Sequence, residues 1–375
     1  MLKGVHLTLM IGPAVPIPAP QSVVDALTAV QVTSGSDRSG FQLTFAVSKQ
    51  STLLTTMLPA GYFDPMVTRV IIIATLGGFP NVLMDGIVTR QELQPGNEPG
   101  QSTLTITGED LSVLMDVVKK IMPYPAMPEI AQIYAALAPY AMFGVVPVAI
   151  PPIISALRIP TDGWDSQVHM TDREFIKSRA SECGYVFYVE PGPLPGQSIA
   201  YFGPDIRIPV PQPALSVNMD AHSNVESLSF SLDGLAKKVR IFTILDPITH
   251  KIPIPIPAPN VNAFKPPLGL RPTPPAKIEF ADDVAQMDPT EAAQRILAYF
   301  MNNAEAISGS GTLDVLRYGR LLRARMLVGV RGAGIAYDGL YYVDSVTHNI
   351  KRGEYKQNFS LSRDGLISNT PRVAA

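Results

Sequence analysis

Hydrophobic residues along most of this chain fall at every second position, the spacing of half-buried strands, and at helical spacing in only a few stretches. Phe41, Leu43, Phe45 and Val47 alternate with Gln42, Thr44 and Ala46, which predicts a strand with one face on a core. Val67 to Ala74 is a fuller apolar run, and Val82 to Thr89 follows a Gly77-Gly78 turn as its expected partner. Ser102 to Thr107 alternates Leu104 and Ile106 with threonines, a pattern suited to an antiparallel sheet. Further on, Leu228, Phe230 and Leu232 alternate with serines, and Lys238 to Ile244 alternates charged or polar residues with apolar ones. Leu321 to Val330, Gly339 to Ile350 and Tyr355 to Arg363 predict the closing strands, separated by turns at Gly332-Ala333-Gly334 and Arg352-Gly353.

Three stretches read as helices. Thr171 and Glu174 have capping-box spacing, Phe175, Ile176, Arg179, Ala180 and Cys183 share a face, and Gly184 stops the helix before a strand over Tyr185 to Val189. Leu111, Leu114, Met115, Val118 and Ile121 predict an amphipathic helix from near Glu109 to just before Pro123. Pro289 stands at the first helical position of a third, whose buried face is Ala293, Ile296, Leu297, Phe300 and Met301. Ser308-Gly309-Ser310-Gly311 reads as a flexible connection.

Two uncharged or proline-rich stretches interrupt this pattern. Ile130 to Leu157 holds 28 residues without a charge, long enough to span a bilayer. Pro139, Pro147, Pro151 and Pro152 each remove a backbone donor within it, which argues for a short helix and a protein-buried loop over a membrane span. Ten prolines between Pro247 and Pro275 predict an extended loop, and Pro204 to Pro213 reads as a linker. The pentamer Pro16-Ile17-Pro18-Ala19-Pro20 recurs as Pro255-Ile256-Pro257-Ala258-Pro259, an echo that a duplicated β domain or chance explains equally well. The prolines from Pro13 to Pro20 also break any signal-peptide core, so no secretion signal is expected.

Composition narrows the function classes. Charged residues make up 17% of the 375 and hydrophobic residues 46%, which fits a chain that hides much of its surface against partners. A formal net charge of −2 gives no basic excess for nucleic-acid recognition. The single cysteine, Cys183, lies on an apolar helix face and is expected to be buried and inert. His6, His169, His222, His250 and His348 are scattered without metal-ligand spacing, so no metal or cofactor is expected, and His348 reads as a surface residue. No nucleophile or phosphate motif occurs, and Asp282-Asp283 and Glu109-Asp110 sit where helix-start charge is favourable. Arg323 and Arg325 share a face of the Leu321 to Val330 strand, beside Arg320. That face is either solvated or lines an interface or channel.

Three segments carry a family resemblance. Thr171 to Glu190 (TDREFIKSRASECGYVFYVE) resembles a helix-to-strand unit of the phage late control D and VgrG-type baseplate hubs of contractile injection systems. Gly86, Val88, Leu104, Ile106, Gly108 and Asp110 are similar to the final hairpin of that family's first barrel. Gly339, Tyr341, Val343, Val346 and His348 are similar to its late strand "G-x-Y-x-V-x-x-V-x-H", and Gly353 to Asp364 to the closing strand.

The resemblance implies a mainly β chain with an α+β insert: two similar small β-barrel domains, 1–110 and 214–375, joined by a mixed α/β region, 111–213. It implies a non-enzymatic homotrimer, pseudo-hexameric, joining a sixfold inner tube protein to a separate threefold spike protein among other baseplate components. It would be assembled in the bacterial cytoplasm and become part of a phage tail or injection particle. The candidate interface residues are Arg323, Arg325, Tyr341, Tyr342 and the proline segments Pro16, Ile17, Pro18 and Pro255, Ile256, Pro257. The uncharged 130–157 segment lies outside the family pattern and is expected to contact a baseplate neighbour or cargo. The rival readings are a tail-associated peptidoglycan-degrading enzyme and a membrane-associated β-protein.

Overall fold

The alternating runs pair into a 13-stranded sheet that threads both halves of the chain. The structure, a computed structural model, describes residues 4–13, 15–35, 39–96, 102–154, 165–207, 210–245, 253–257, 264–281, 287, 289–302 and 305–370. Trp164, His250 and Asp282-Asp283 lie outside the described residues.

Two sets of six strands within this sheet have one topology. The first set is Val5–Pro13, Leu27–Ser34, Gly40–Val47, Thr68–Leu76, Phe79–Gln94 and Ser102–Asp110. The second is Gln212–Ser216, Val225–Leu232, Ile307–Asp314, Leu327–Arg331, Gly339–Lys351 and Glu354–Arg363. In each, the lateral order by chain position is 1-4-5-6-3-2. Two of the irregularities coincide as well. The second strand shifts register between Leu27 and Ala29 in one unit and between Val225 and Ser227 in the other. The fifth shifts between Val88 and Arg90, and again between Val343 and Ser345. Differences remain: strands one and four are antiparallel in the first unit and parallel in the second, and the shifts at Ile72–Ile73 and at Gln212–Leu215 each occur in one unit alone.

The two units share a ladder and a core. The C-terminal half of Gly339–Lys351 pairs antiparallel with Leu27–Ser34, from Val346 opposite Ser34 to Lys351 opposite Ala29. Leu9, Val32, Phe45 and Ile72 from one side and Leu313, Val330, Val343 and Phe359 from the other belong to one hydrophobic cluster. The two closed barrels of the sequence reading are therefore corrected. Among the described residues the sheet path stays open, ending at Ile17–Pro18 and at Val225–Leu232. For the first unit the reason is visible in the ladder, because the Leu27–Ser34 edge that joins the other unit cannot also close its own.

Several local expectations change for physical reasons. Ser308 to Gly311 is not a flexible connection but part of a strand paired on both sides, Ile307–Asp314. Its glycines leave room for the rings of Phe230 and Phe359, which lie where added Cβ atoms would sit. The helix from Glu109 shrinks to a 3-10 turn, Leu111–Asp116, followed by a strand, Lys120–Tyr124. Asp110 caps that turn at the Ser112 amide, 2.9 Å away, while Val117, Val118 and Ile121 are exposed and give a longer helix nothing to pack against. The proline-rich stretch is extended but pairs, since Pro253–Pro257 lies antiparallel on Ile241 to Leu245. Alternate prolines remove donors from one edge only, which suits an outer strand. Ile17–Pro18 likewise forms the outermost strand at its end of the large sheet. Ile17–Pro18 and Pro255 to Pro257 thus lie in different sheets, and the echo does not mark the duplication.

A second core lies beside the first unit. The helix Asp172–Cys183 packs Phe175 and Ile176 against Phe187, Val189 and Phe202 of the strands Val186–Pro191 and Ser198–Gly203. Its capping box is formed, with the Glu174 amide donating to Thr171 Oγ1 at 3.2 Å and the Thr171 amide to Glu174 Oε2 at 2.9 Å. Gly184 ends it at φ 70°, where a Cβ would stand 2.6 Å from the Ala298 backbone. The third helix, Pro289–Met301, packs here, with Gln294 donating to Glu129 at 2.7 Å and to the buried Cys183 sulfur at 3.3 Å. Burial pushes the Cys183 thiol up to about 12, so it stays protonated. The uncharged segment opens with the helix Glu129–Leu137 and includes a strand, Val145–Ala149, that pairs parallel with Ser198–Gly203. Among the described residues no helix is long and apolar enough to cross a membrane.

Candidate assembly surface

The arginines singled out in sequence stand in a turn, not on a strand. Regular pairing begins only at Leu327, because Arg325 takes a left-handed backbone, φ 61°, which ends an extended run. Their side chains still meet one feature, a cavity of about 440 Å³ lined also by Tyr188, Glu190, Asn81 and His348. The Arg325 guanidinium stacks over the Tyr188 ring at 3.9 Å, lies 3.4 Å from Glu190 Oε2 and donates to the Gly35 carbonyl. Burial raises the Glu190 carboxyl above its usual range, and Arg325 and Arg323 pull it partly back. Arg323 is exposed and donates to Asn81 Oδ1 at 2.8 Å, while its own backbone exchanges two bonds with the Gln212 amide. The cavity wall therefore spans the first unit, the α/β region and the second unit.

Tyr341 and Tyr342 face inward. Tyr341 donates its hydroxyl to the Tyr337 carbonyl at 2.7 Å, under the guanidinium of the fully buried Arg363. Tyr342 donates to Asp205 Oδ1 at 2.9 Å, with Arg207 4.0 Å over its ring. Sequence reasoning missed the charged cluster around this pair. Arg207 also reaches Glu305 at 2.7 Å, and Lys265 reaches Asp205 at 3.0 Å. Burial alone would raise the Asp205 carboxyl, but Lys265 and Arg207 outweigh it and hold it below its usual range. The cluster pins the stretch read as a linker onto the second unit.

His348 is a second correction. It is 6% exposed rather than on the surface, bonded through Nδ1 to the Tyr355 hydroxyl at 2.8 Å. Burial lowers it to about 4, so it is neutral at physiological pH. It sits on the shared ladder opposite Val32, where one face of the strand turns into the common core. An alternating strand pattern cannot say which face is covered when a second unit supplies the cover.

The outer edges present a different chemistry. Ile17 is 63% exposed and Leu93 47%, and Leu232 is 41% exposed, all on strand edges or ends. Among the described residues no group of three or more His, Cys, Asp or Glu is arranged to hold a metal ion. The arrangement is one of ion pairs, stacked rings and strand edges, the materials of assembly.

Comparison with solved structures identifies the fold. No family model matches the sequence, and neither does any curated protein. The tail protein from Neisseria meningitidis MC58 matches over 97% of this chain and 98% of its own, at TM-score 0.60 and 15% identity. The 43 kDa tail protein of prophage MuSo2 from Shewanella oneidensis matches over 96% and 99%, at TM-score 0.58 and 13% identity. The E. coli type VI secretion component c3393, described as similar to the T4 bacteriophage tail proteins gp27 and gp5, matches over 93% and 75%, at TM-score 0.52 and 12% identity. The chain has the fold shared by phage tail proteins and VgrG-like type VI secretion components.

Proposed function

We propose that this chain is the structural hub of a phage tail or related contractile injection system, a homotrimeric adaptor between a sixfold inner tube and a threefold spike carried on a separate protein. The observation that carries the reading is the repeated six-strand unit, with its order and two register shifts shared inside one chain. Three copies of a chain with two similar units offer six similar surfaces on one face, and a cyclic trimer closes without needing six chains. The fold likeness to tail proteins supports the same reading. Arg323, exposed at the rim of the cavity between the units, is one candidate contact to a neighbour, and the exposed Ile17 and its flanking prolines are a second.

The neighbouring structures are described as tail proteins, which supports a place in a tail. Native mass of the purified chain, alone and with its spike and tube proteins, tests the proposal. A threefold mass in either condition supports the hub. A monomer in both, together with clearance of purified peptidoglycan, would replace it with the enzyme reading.

A further inference from the structure

The ladder joining the two units inside the chain has a second, unfilled set of edges. Inside the chain, the second strand of the first unit pairs with the C-terminal half of the fifth strand of the second. The equivalent strands left over are the second strand of the second unit, Val225–Leu232, and the C-terminal half of the fifth strand of the first, Phe79–Gln94. Among the described residues, Val225–Leu232 ends the sheet, paired only with Ile307–Asp314. In Phe79–Gln94, the partner on one side stops at Ile87, so beyond Val88 Ser102–Asp110 is its only described partner. Unlike the end of the sheet formed by Ile17–Pro18, neither free stretch is blunted by alternating prolines.

The shared irregularities set the register. Matching Val88 with Val343 makes Glu92 the counterpart of Thr347 and Leu93 the counterpart of His348. Matching Leu27 with Val225 makes Ser231 the counterpart of Thr33 and Phe230 the counterpart of Val32. At the internal junction Thr33 lies opposite Thr347, with hydroxyl oxygens 3.1 Å apart, and the buried Val32 lies opposite the buried His348. Of the counterparts, Leu93 is 47% exposed, while Phe230 is half-buried, stacked on Tyr337 and Tyr341 and positioned to cover it.

We infer that Val225–Leu232 adds antiparallel to the Gln91 to Gln94 edge of a second copy of this chain, with Ser231 opposite Glu92 and Phe230 opposite Leu93. The occupant is another copy because each edge matches the surface that its own chain has already paired once. Backbone ladders supply affinity and the Phe230–Leu93 contact supplies the apolar cover. The contact is heterologous, one edge type meeting the other, so it forms a ring if the rotation closes and a filament if it does not. The inference rests on the self-associating hub proposed above and adds to it which strands meet and in what register.

The test uses the full-length chain carrying E92C and S231C, oxidised after native mass has been recorded. The internal control is T33C with T347C, which should form a disulfide within one chain. The register control is E92C with S229C, two residues out of step. In-register pairs should give a covalent ladder stopping at three chains, at least tenfold stronger than the shifted pair. A native trimer whose E92C/S231C pair stays reduced while the internal control closes would overturn the strand pairing and leave the hub standing. A ladder continuing past three chains would support the pairing and overturn the closed trimer. A monomer at every concentration, with spike and tube proteins present, would overturn both.

Discussion

Arg325 lies with its guanidinium 3.9 Å over the ring of Tyr188, fastening the turn before the second unit's fourth strand to the α/β region. The side chain is 11% exposed, and it also pairs with Glu190 and donates to the Gly35 carbonyl. Removing it leaves the Gly35 carbonyl short of a donor and the partly exposed Glu190 carboxylate without its partner. Arg325→Ala should cost about 1–3 kcal/mol in denaturant unfolding. Arg325→Lys should recover less than half of that, because an ammonium cannot stack and fork at once. Full recovery by lysine would mean that the stack contributes nothing.

Acid should loosen the shared ladder. The folded value of His348 is lowered to about 4 from an ordinary 6.5, so the unfolded chain binds its proton first as pH falls. Stability is complete above about pH 6.5 and declines as pH drops through that value toward 4, by on the order of 3 kcal/mol. His348→Gln should flatten the decline between pH 6.5 and 4 in urea titrations. An unchanged slope would place the acid sensitivity in other groups.

Gly184 tolerates no side chain on two counts. Its φ of 70° strains any L residue, and a Cβ would stand 2.6 Å from the Ala298 backbone in the neighbouring helix. Gly184→Ala should lower stability by roughly 2 kcal/mol or more, read as a fall in Tm. A neutral result would show that the two helices slide apart freely.

The buried pair of Arg69 and Asp85 should behave asymmetrically. Their two bonds are 2.6 and 2.7 Å, and Arg69 also donates to the Gly196 carbonyl at 3.1 Å. Arg69→Met alone should cost about 3–5 kcal/mol, since it strands a buried carboxylate. Adding Asp85→Leu should return a good part of it, a coupling that a double-mutant cycle measures directly. Additive losses would contradict the pairing.

The capping box offers a smaller, local check. Thr171→Ala removes the acceptor of the Glu174 amide and should cost about 1 kcal/mol, seen in equilibrium unfolding.

The sequence by itself determined the elements whose signals are local. The Gly40–Val47 strand, the Thr171 box, the helix it opens, the Gly184 stop and the long strand from Gly339 all follow from neighbours a few residues apart. So did the buried, unreactive Cys183, because its helix face is readable from spacing alone. Tertiary structure decided what each strand edge meets. The duplication is invisible in the letters, since Phe230 stands where the other unit has Val32 and His348 where it has Leu93. It resides in ladder order and in two shared register shifts, which depend on hydrogen bonds between residues far apart in the chain. Burial of His348, the two-sided pairing of Ser308 to Gly311 and the ionic cluster at Asp205 were likewise set at long range. Periodicity tells a strand which residues share a face, and only the packed sheet tells that face whether it meets water, a core or another strand.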